Sequence, residues 1–117
     1  MTAEKLLNLP SIRREITRTK RRIADISRQI KDAGGDMTLQ GVLTAERALL
    51  DGYILRLRSE EAELVGFVNS IDDPHMREIF MLRYFDGVKT WQRVAFLSGE
   101  HDESYVRRKH NAYLKKK

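Results

Sequence analysis

Side chains that can read nucleic acid recur near the C-terminal end of the chain. A helix over residues 103–114, with the lysine that follows it, would present one polar stripe: Ser104, Arg107, Arg108, Asn111 and Lys115. Arginine can donate two hydrogen bonds to guanine in the major groove, and asparagine can form two with adenine. Serine and lysine more often contact phosphate. The opposite side of this helix carries Val106, His110 and Tyr113 at steps of four and three, and this spacing predicts that the side is buried.

Two shorter helices are predicted before this basic helix. Asp73 can cap a helix whose first residue is Pro74, and the residues Asp86 and Gly87 would end it. Thr90 would cap the next helix, and the apolar side of that helix would face the core. Phosphate contacts are expected at the start of that helix, from Lys89, Thr90, Gln92 and Arg93. Two short helices followed by a basic one are typical of a helix-turn-helix that reads DNA.

Composition excludes several other functions. The 117 residues carry a net charge of +5 and no cysteine, so a polyanionic partner is favoured and thiolate chemistry is excluded. The three histidines share no metal-ligand spacing, and the seven glycines form no phosphate-binding loop. We therefore expect no catalytic residue, no metal and no cofactor. No apolar run is long enough to span a membrane, and the N-terminal residues form no signal-peptide core. Both observations predict a cytoplasmic protein without membrane contact.

The N-terminal half shows two heptad patterns. The first has isoleucine at five of six positions: Ile12, Ile16, Thr19, Ile23, Ile26 and Ile30. The second has the same spacing: Leu43, Arg47, Leu50, Ile54, Leu57, Glu61, Leu64, Val68 and Ile71. Pro10 and Ser11 predict where the first helix begins, the glycines at 34 and 35 where it ends, and Thr38 or Thr44 could cap the second. Residues 1–33 carry a local charge of +5 and residues 34–71 one of −3. An antiparallel helical hairpin of coiled-coil character follows.

The predicted fold is therefore all-α, with hairpin arms over residues 1–71 and a helix-turn-helix module over residues 72–117. The hairpin either supports the module or has its own role in dimerisation or partner binding. Because two helices bury only one face, the isoleucine pattern favours a homodimer or a higher oligomer.

A family resemblance rests on residues 82–87, LRYFDG, and residues 90–95, TWQRVA. These residues resemble the fourth conserved region of bacterial sigma factors, whose pattern is leucine, arginine, tyrosine, aromatic and glycine, then hydroxyl, aromatic and Ile/Val-Ala. With tryptophan in the aromatic slot and a helical N-terminal extension, the pattern is similar to phage transcriptional regulators of the RinA and ArpU type. The match covers about residues 74–114. After Gly99 it departs, because Glu100 and His101 replace an aliphatic residue and a serine.

Three functions remain open at this point. The first is a sequence-specific regulator of phage or prophage transcription that reads double-stranded DNA with its last helix. The resemblance implies bacterial RNA polymerase as a further candidate partner, so the second is an interaction factor that binds polymerase through the hairpin. The third is a DNA-packaging adaptor like a small terminase subunit, since such subunits also join helix-turn-helix modules to oligomerising helices.

Overall fold

The computed structural model describes residues 1–115, and every regular element in that range is helical. The predicted all-α class is confirmed. The α-helices are α1 (Ala3–Asp32), α2 (Met37–Asn69), α3 (Pro74–Phe80), α4 (Trp91–Leu97) and α5 (Glu103–Lys115). A π-helical segment, Met81–Phe85, directly continues α3. Within the described range, no helix combines the length and the apolar character needed to cross a membrane.

Helix α1 begins earlier than the sequence predicts. The Thr2 hydroxyl accepts a hydrogen bond from the Lys5 amide at 3.2 Å, and the helix runs through Pro10. Proline has no N–H to donate to the preceding turn, which is why it more often marks a helix start. Here Leu6 and Leu9 are buried in that turn, and their burial offsets the missing hydrogen bond.

The turn between α1 and α2 contains the two glycines that predict the end of the first helix. Gly34 and Gly35 have φ angles of 73° and 94°, a region that side chains disfavour. The Gly35 amide donates to the Ile30 carbonyl at 2.9 Å and closes the end of α1. The predicted caps of α2, Thr38 and Thr44, are wrong. Asp36 takes this role, since its Oδ1 accepts from the Thr38 amide at 2.7 Å.

The chain divides into two compact units, Ser11–Ser59 and Met1–Pro10 with Glu60–Lys117. The division of function predicted at residue 71 stays a prediction. In the unit Ser11–Ser59, the predicted α1 pattern holds: Ile12, Ile16, Thr19 and Ile26 are buried and Ile23 and Ile30 are half-buried.

The packed side of α2 differs by one residue from its predicted pattern. Arg47 is exposed, whereas Glu46 is buried and its Oε1 lies 3.1 Å from Nη2 of Arg22 on α1. The packed stripe therefore follows Leu43, Glu46 and Leu50. A glutamate is tolerated there because an arginine from the other helix reaches its carboxylate.

The other unit holds the predicted C-terminal helices. Asp73 Oδ1 accepts from the His75 amide at 3.0 Å, so the predicted cap of α3 with Pro74 as its first residue is confirmed. The π-helical segment ends at Asp86, and Gly87 follows with a φ of 74°. Asp102 caps α5, accepting from the Ser104 amide at 2.9 Å. The core cluster between these helices consists of Ile79, Val94, Ala95 and Val106.

Candidate nucleic-acid interface

One side of α5 is fixed in the core of its unit. Val106 is fully buried and His110 is 4% exposed, while Tyr113 is half-buried against Phe67 and Phe80, with ring centroids at 5.9 and 5.8 Å. This is the buried face that the spacing of four and three predicts. With one side held by these contacts, the orientation of the opposite side is determined.

His110 is the polar centre of that buried side. Its Nε2 lies 2.6 Å from the Tyr84 hydroxyl oxygen and its Nδ1 lies 2.9 Å from Oδ1 of Asn111. A carbonyl oxygen only accepts, so the neutral ring carries its proton on Nδ1 and Tyr84 donates to Nε2. The ring also packs against Phe80 and Trp91, with centroids at 4.9 and 4.7 Å. Burial lowers the pKa of His110 below its ordinary value of 6.5.

Arg83 holds the segment that leads into α4. Its Nη1 donates to the Val88 carbonyl at 3.2 Å and also to the Lys89 carbonyl. Its guanidinium carbon lies 4.5 Å from the ring centroid of Trp91, the first residue of α4. Arginine suits this place because one planar group can bond two carbonyls and also stack on an indole. These contacts give a structural role to the arginine and tryptophan of the 82–87 and 90–95 motifs.

Lys109 connects α5 to the start of α3. Its Nζ lies 2.9 Å from Oδ2 of Asp73 and 3.2 Å from Nδ1 of His75, whose Nε2 lies 3.3 Å from the Ser98 hydroxyl. The ammonium group of Lys109 lowers the pKa of Asp73 below its ordinary value of 3.8. Lys109 is therefore a structural member of the basic run, and the chemistry of the outer surface is left to its neighbours.

The predicted outer stripe of α5 is accessible. Arg107, Arg108, Asn111 and Lys115 are exposed and Ser104 is half-buried. Arg108 Nε donates to the Ser104 carbonyl at 3.2 Å, which lays its side chain along the helix. Neither Arg107 nor Arg108 forms an ion pair within residues 1–115. Both charges can therefore meet an external anion without first leaving an internal carboxylate.

The start of α4 carries the other predicted contacts. Thr90 is the cap, with its hydroxyl accepting from the Arg93 amide at 3.2 Å, so that amide is already bonded. Lys89, Gln92 and Arg93 are exposed. The Arg93 guanidinium lies 5.8 Å from the ring centroid of Phe96, an aromatic side chain that is 71% exposed. The side chains here are thus free to turn toward solvent, while the hydroxyl of Thr90 is engaged.

An acidic turn separates the basic side of α5 from α4. Glu100, Asp102 and Glu103 lie in the turn and at the first residue of the helix. An open cavity of about 420 Å³ lies there, lined by Gln92, Ala95, Phe96, Glu100, His101 and Glu103. Carboxylates at a helix start complement its dipole. They also repel phosphate, so the basic side chains of the later turns of α5 supply the electrostatic attraction for an anion.

The first residues of the chain lie beside the far end of α5. A second cavity, about 310 Å³, is lined by Met1, Thr2, Ala3, Asn111, Leu114 and Lys115. The sequence pattern does not predict this neighbourhood, since Pro10 indicates a later start for the helix. Apolar spacing at Leu6 and Leu9 was the available cue. The amino-terminal turn of α1 therefore belongs beside the predicted contacts Asn111 and Lys115.

Residues 115–117 are three lysines, whose charges predict a nonspecific attraction for phosphate, and Lys116 and Lys117 lie outside the described residues. Within residues 1–115, no three His, Asp or Glu side chains are grouped so that they could hold a metal ion. Comparison of the chain with protein families, with curated proteins and with solved structures gave no match.

Proposed function

We propose that the chain is a sequence-specific DNA-binding regulator of transcription, of phage or prophage origin, that reads the major groove with α5. One observation carries the proposal: α5 is anchored by Val106 and His110 and exposes Arg107 and Arg108, which form no ion pair with any described residue. A helix that is fixed in the core and exposes such arginines suits base-edge reading, because the positions of the side chains are set before DNA binds.

The remaining predicted contacts are assigned by chemistry. Asn111 would contact adenine, and Ser104 and Lys115 would contact phosphate. Lys89, Gln92 and Arg93 would contact the backbone of an adjacent turn, with Thr90 holding the start of α4 in position. In this proposal α3 to α5 act as a sigma-like helix-turn-helix, and the two long helices form an antiparallel hairpin that supports it.

The test is DNA binding by the full chain, measured by fluorescence anisotropy on fragments of the source genome across a salt titration. We expect one fragment to bind well above the rest. The Arg107→Ala/Arg108→Ala variant should lose that preference. Its salt dependence should be shallower, by about one unit of slope for each phosphate that the variant no longer neutralises. Both side chains are exposed, so the circular dichroism melt should be unchanged.

A matched control removes the same charge elsewhere. Lys20 and Arg21 are adjacent, exposed and on α1, so the Lys20→Ala/Arg21→Ala variant keeps the net charge equal to that of the test variant. It should retain the fragment preference. Equal weak binding to every fragment, unchanged by either variant, would contradict the assignment of α5. Function that survives Arg107→Ala/Arg108→Ala but fails with Ile23→Asp, with an unchanged circular dichroism melt, would favour a protein partner such as polymerase.

A further inference from the structure

One face of α2 is exposed although it is largely apolar. Between residues 48 and 59, the side packed within its unit includes Leu50 and Leu57, both half-buried. The opposite side carries Leu55, 66% exposed, and its flank carries Leu49, 49% exposed. We propose that this outer face joins two copies of the chain, with the two α2 helices antiparallel about a two-fold axis.

The spacing of the outer face fits such a pair. Its central residues alternate at steps of four and three: Ala48, Gly52, Leu55 and Ser59. A two-fold axis midway between residues 53 and 54 places Leu55 over the partner's Gly52 and Ala48 over the partner's Ser59. Each contact occurs twice, as a self-complementary interface requires.

Gly52 supplies the space that Leu55 needs. A Cβ built on Gly52 would have no atom within 4 Å, so the surface there is open. Glycine within a helix costs stability, and no neighbour among residues 1–115 requires it at this position. A leucine from the partner seated over the bare backbone of Gly52 would explain both the glycine and the exposed leucine.

The charges beside this stripe are also complementary. Asp51 and Arg58 lie on the same flank of the helix, and neither forms an ion pair within the described residues. A two-fold axis perpendicular to both helices keeps equal flanks together, so Asp51 meets the partner's Arg58, again twice. On the other flank, Leu49 lies beside the partner's Arg56, whose methylene stem can cover it.

The sequence of α2 continues the pattern beyond this stretch. The same alternation reaches Gly41 and Ala45 before it, and Ala62 and Gly66 after it, all small and exposed residues. Small side chains let two helix backbones approach closely. A parallel pair would place Leu55 against the partner's Leu55 and Gly52 against the partner's Gly52, so the open space at Gly52 would stay unfilled. The antiparallel pair places Leu55 over Gly52, and this fit selects the antiparallel arrangement.

Sedimentation equilibrium of the full chain over a concentration series tests the proposal without DNA, so its outcome is independent of the proposed function. We expect a reversible species of twice the 13.7 kDa chain mass. Leu55→Arg should weaken self-association by about tenfold or more, because it removes the central leucine from both copies. Met37→Arg is the control, since Met37 is 86% exposed at the first residue of α2, beyond the paired stretch.

Two further variants separate this interface from a general loss of structure. Gly52→Leu should raise the thermal stability of the helix while it weakens the dimer, because a side chain at 52 blocks the partner's Leu55. Asp51→Arg should weaken the dimer, and the exchange Asp51→Arg/Arg58→Asp should restore it. A monomer at every concentration, or a dimer insensitive to Leu55→Arg, would overturn the proposal, and failure of the exchange would overturn the antiparallel register.

Discussion

The Tyr84 hydroxyl oxygen lies 2.6 Å from Nε2 of His110, across a separation of 26 residues. Tyr84 lies in the π-helical segment after α3, and His110 is on α5, so this hydrogen bond joins α5 to the segment that continues α3. Both side chains are buried, at 5% and 4% exposure. Together with the packing of Val106 and Tyr113, this contact sets the orientation of the outer arginines of α5.

Removal of the Tyr84 hydroxyl should destabilise the unit. Tyr84→Phe keeps the ring that packs on Phe80 at 5.9 Å but leaves Nε2 of His110 without its donor. A buried acceptor that loses its partner costs about 1–2 kcal/mol in the free energy of unfolding. Urea denaturation would measure the loss. Tyr105→Phe is the control, since Tyr105 is 43% exposed and its change should be near zero. Equal stability of both variants would contradict the role of this hydrogen bond.

The same histidine should make stability depend on pH. Burial is the largest cause of its lowered pKa, and the Arg83 charge acts in the same direction, whereas the hydrogen bond to Asn111 opposes them. Because the unfolded chain binds this proton more readily, the stability is fully present above pH 6.5 and falls as the pH drops below 6.5 toward the folded pKa. An NMR titration of the His110 ring should give a pKa below 6.5. A value at or above 6.5 would show that the ring is not buried as a neutral group.

Arg83 should not tolerate lysine. Arg83→Lys keeps the charge but loses the planar group that bonds two carbonyls and lies 4.5 Å from the Trp91 centroid. We expect a loss of about 1–3 kcal/mol in the free energy of unfolding, measured by chemical denaturation. Arg93→Lys is the matched control, because its contact with the exposed Phe96 is longer at 5.8 Å. Comparable losses in both variants would contradict the specific role of Arg83.

Asp73 has two separable roles at the start of α3. Asp73→Asn keeps an oxygen to cap the His75 amide but removes the charge that pairs with Lys109, whereas Asp73→Ala removes both. Asparagine is an equally good cap, so the alanine variant should be the less stable by about 1 kcal/mol. The lowered pKa of Asp73 adds stability above pH 3.8 that is lost as the pH falls through the folded pKa. Thermal melts of the unchanged protein and of both variants at pH 7 and pH 3 would measure the two effects. An alanine variant as stable as the asparagine variant would exclude the cap.

Short sequence patterns predicted those helix ends that depend on neighbouring residues. Asp73 with Pro74, Thr90 and the glycines at 34 and 35 act through hydrogen bonds or backbone angles within a few residues. Such effects are written in short stretches of sequence, which is why these predictions are confirmed. The predicted start of α1 was wrong because Pro10 is a local signal, while burial of Leu6 and Leu9 against distant residues decides the outcome.

Contacts between residues that are far apart in the chain could not be predicted from local sequence patterns. The pairing of Tyr84 with His110 and of Lys109 with Asp73 needs the three-dimensional packing of α3 on α5. The buried side of α5 was predicted because its period of four and three is local, but the structural role of Lys109 was not. The contacts of the outer residues with DNA stay a prediction.

The register of α2 gives a last prediction. The sequence pattern placed Arg47 on the packed side, but Glu46 is there, with a side chain 12% exposed and paired with Arg22. A nearly buried carboxylate loses hydration that one ion pair only partly restores, and Arg22 is itself 61% exposed. Glu46→Leu should therefore leave the free energy of unfolding unchanged or raise it by about 1 kcal/mol, since leucine can pack against α1 and the guanidinium stays hydrated. Arg47→Leu should change it by less than about 0.5 kcal/mol, because residue 47 faces solvent. Urea denaturation of both variants would decide between the two registers. A stabilising Arg47→Leu with a strongly destabilising Glu46→Leu would place residue 47 on the packed side.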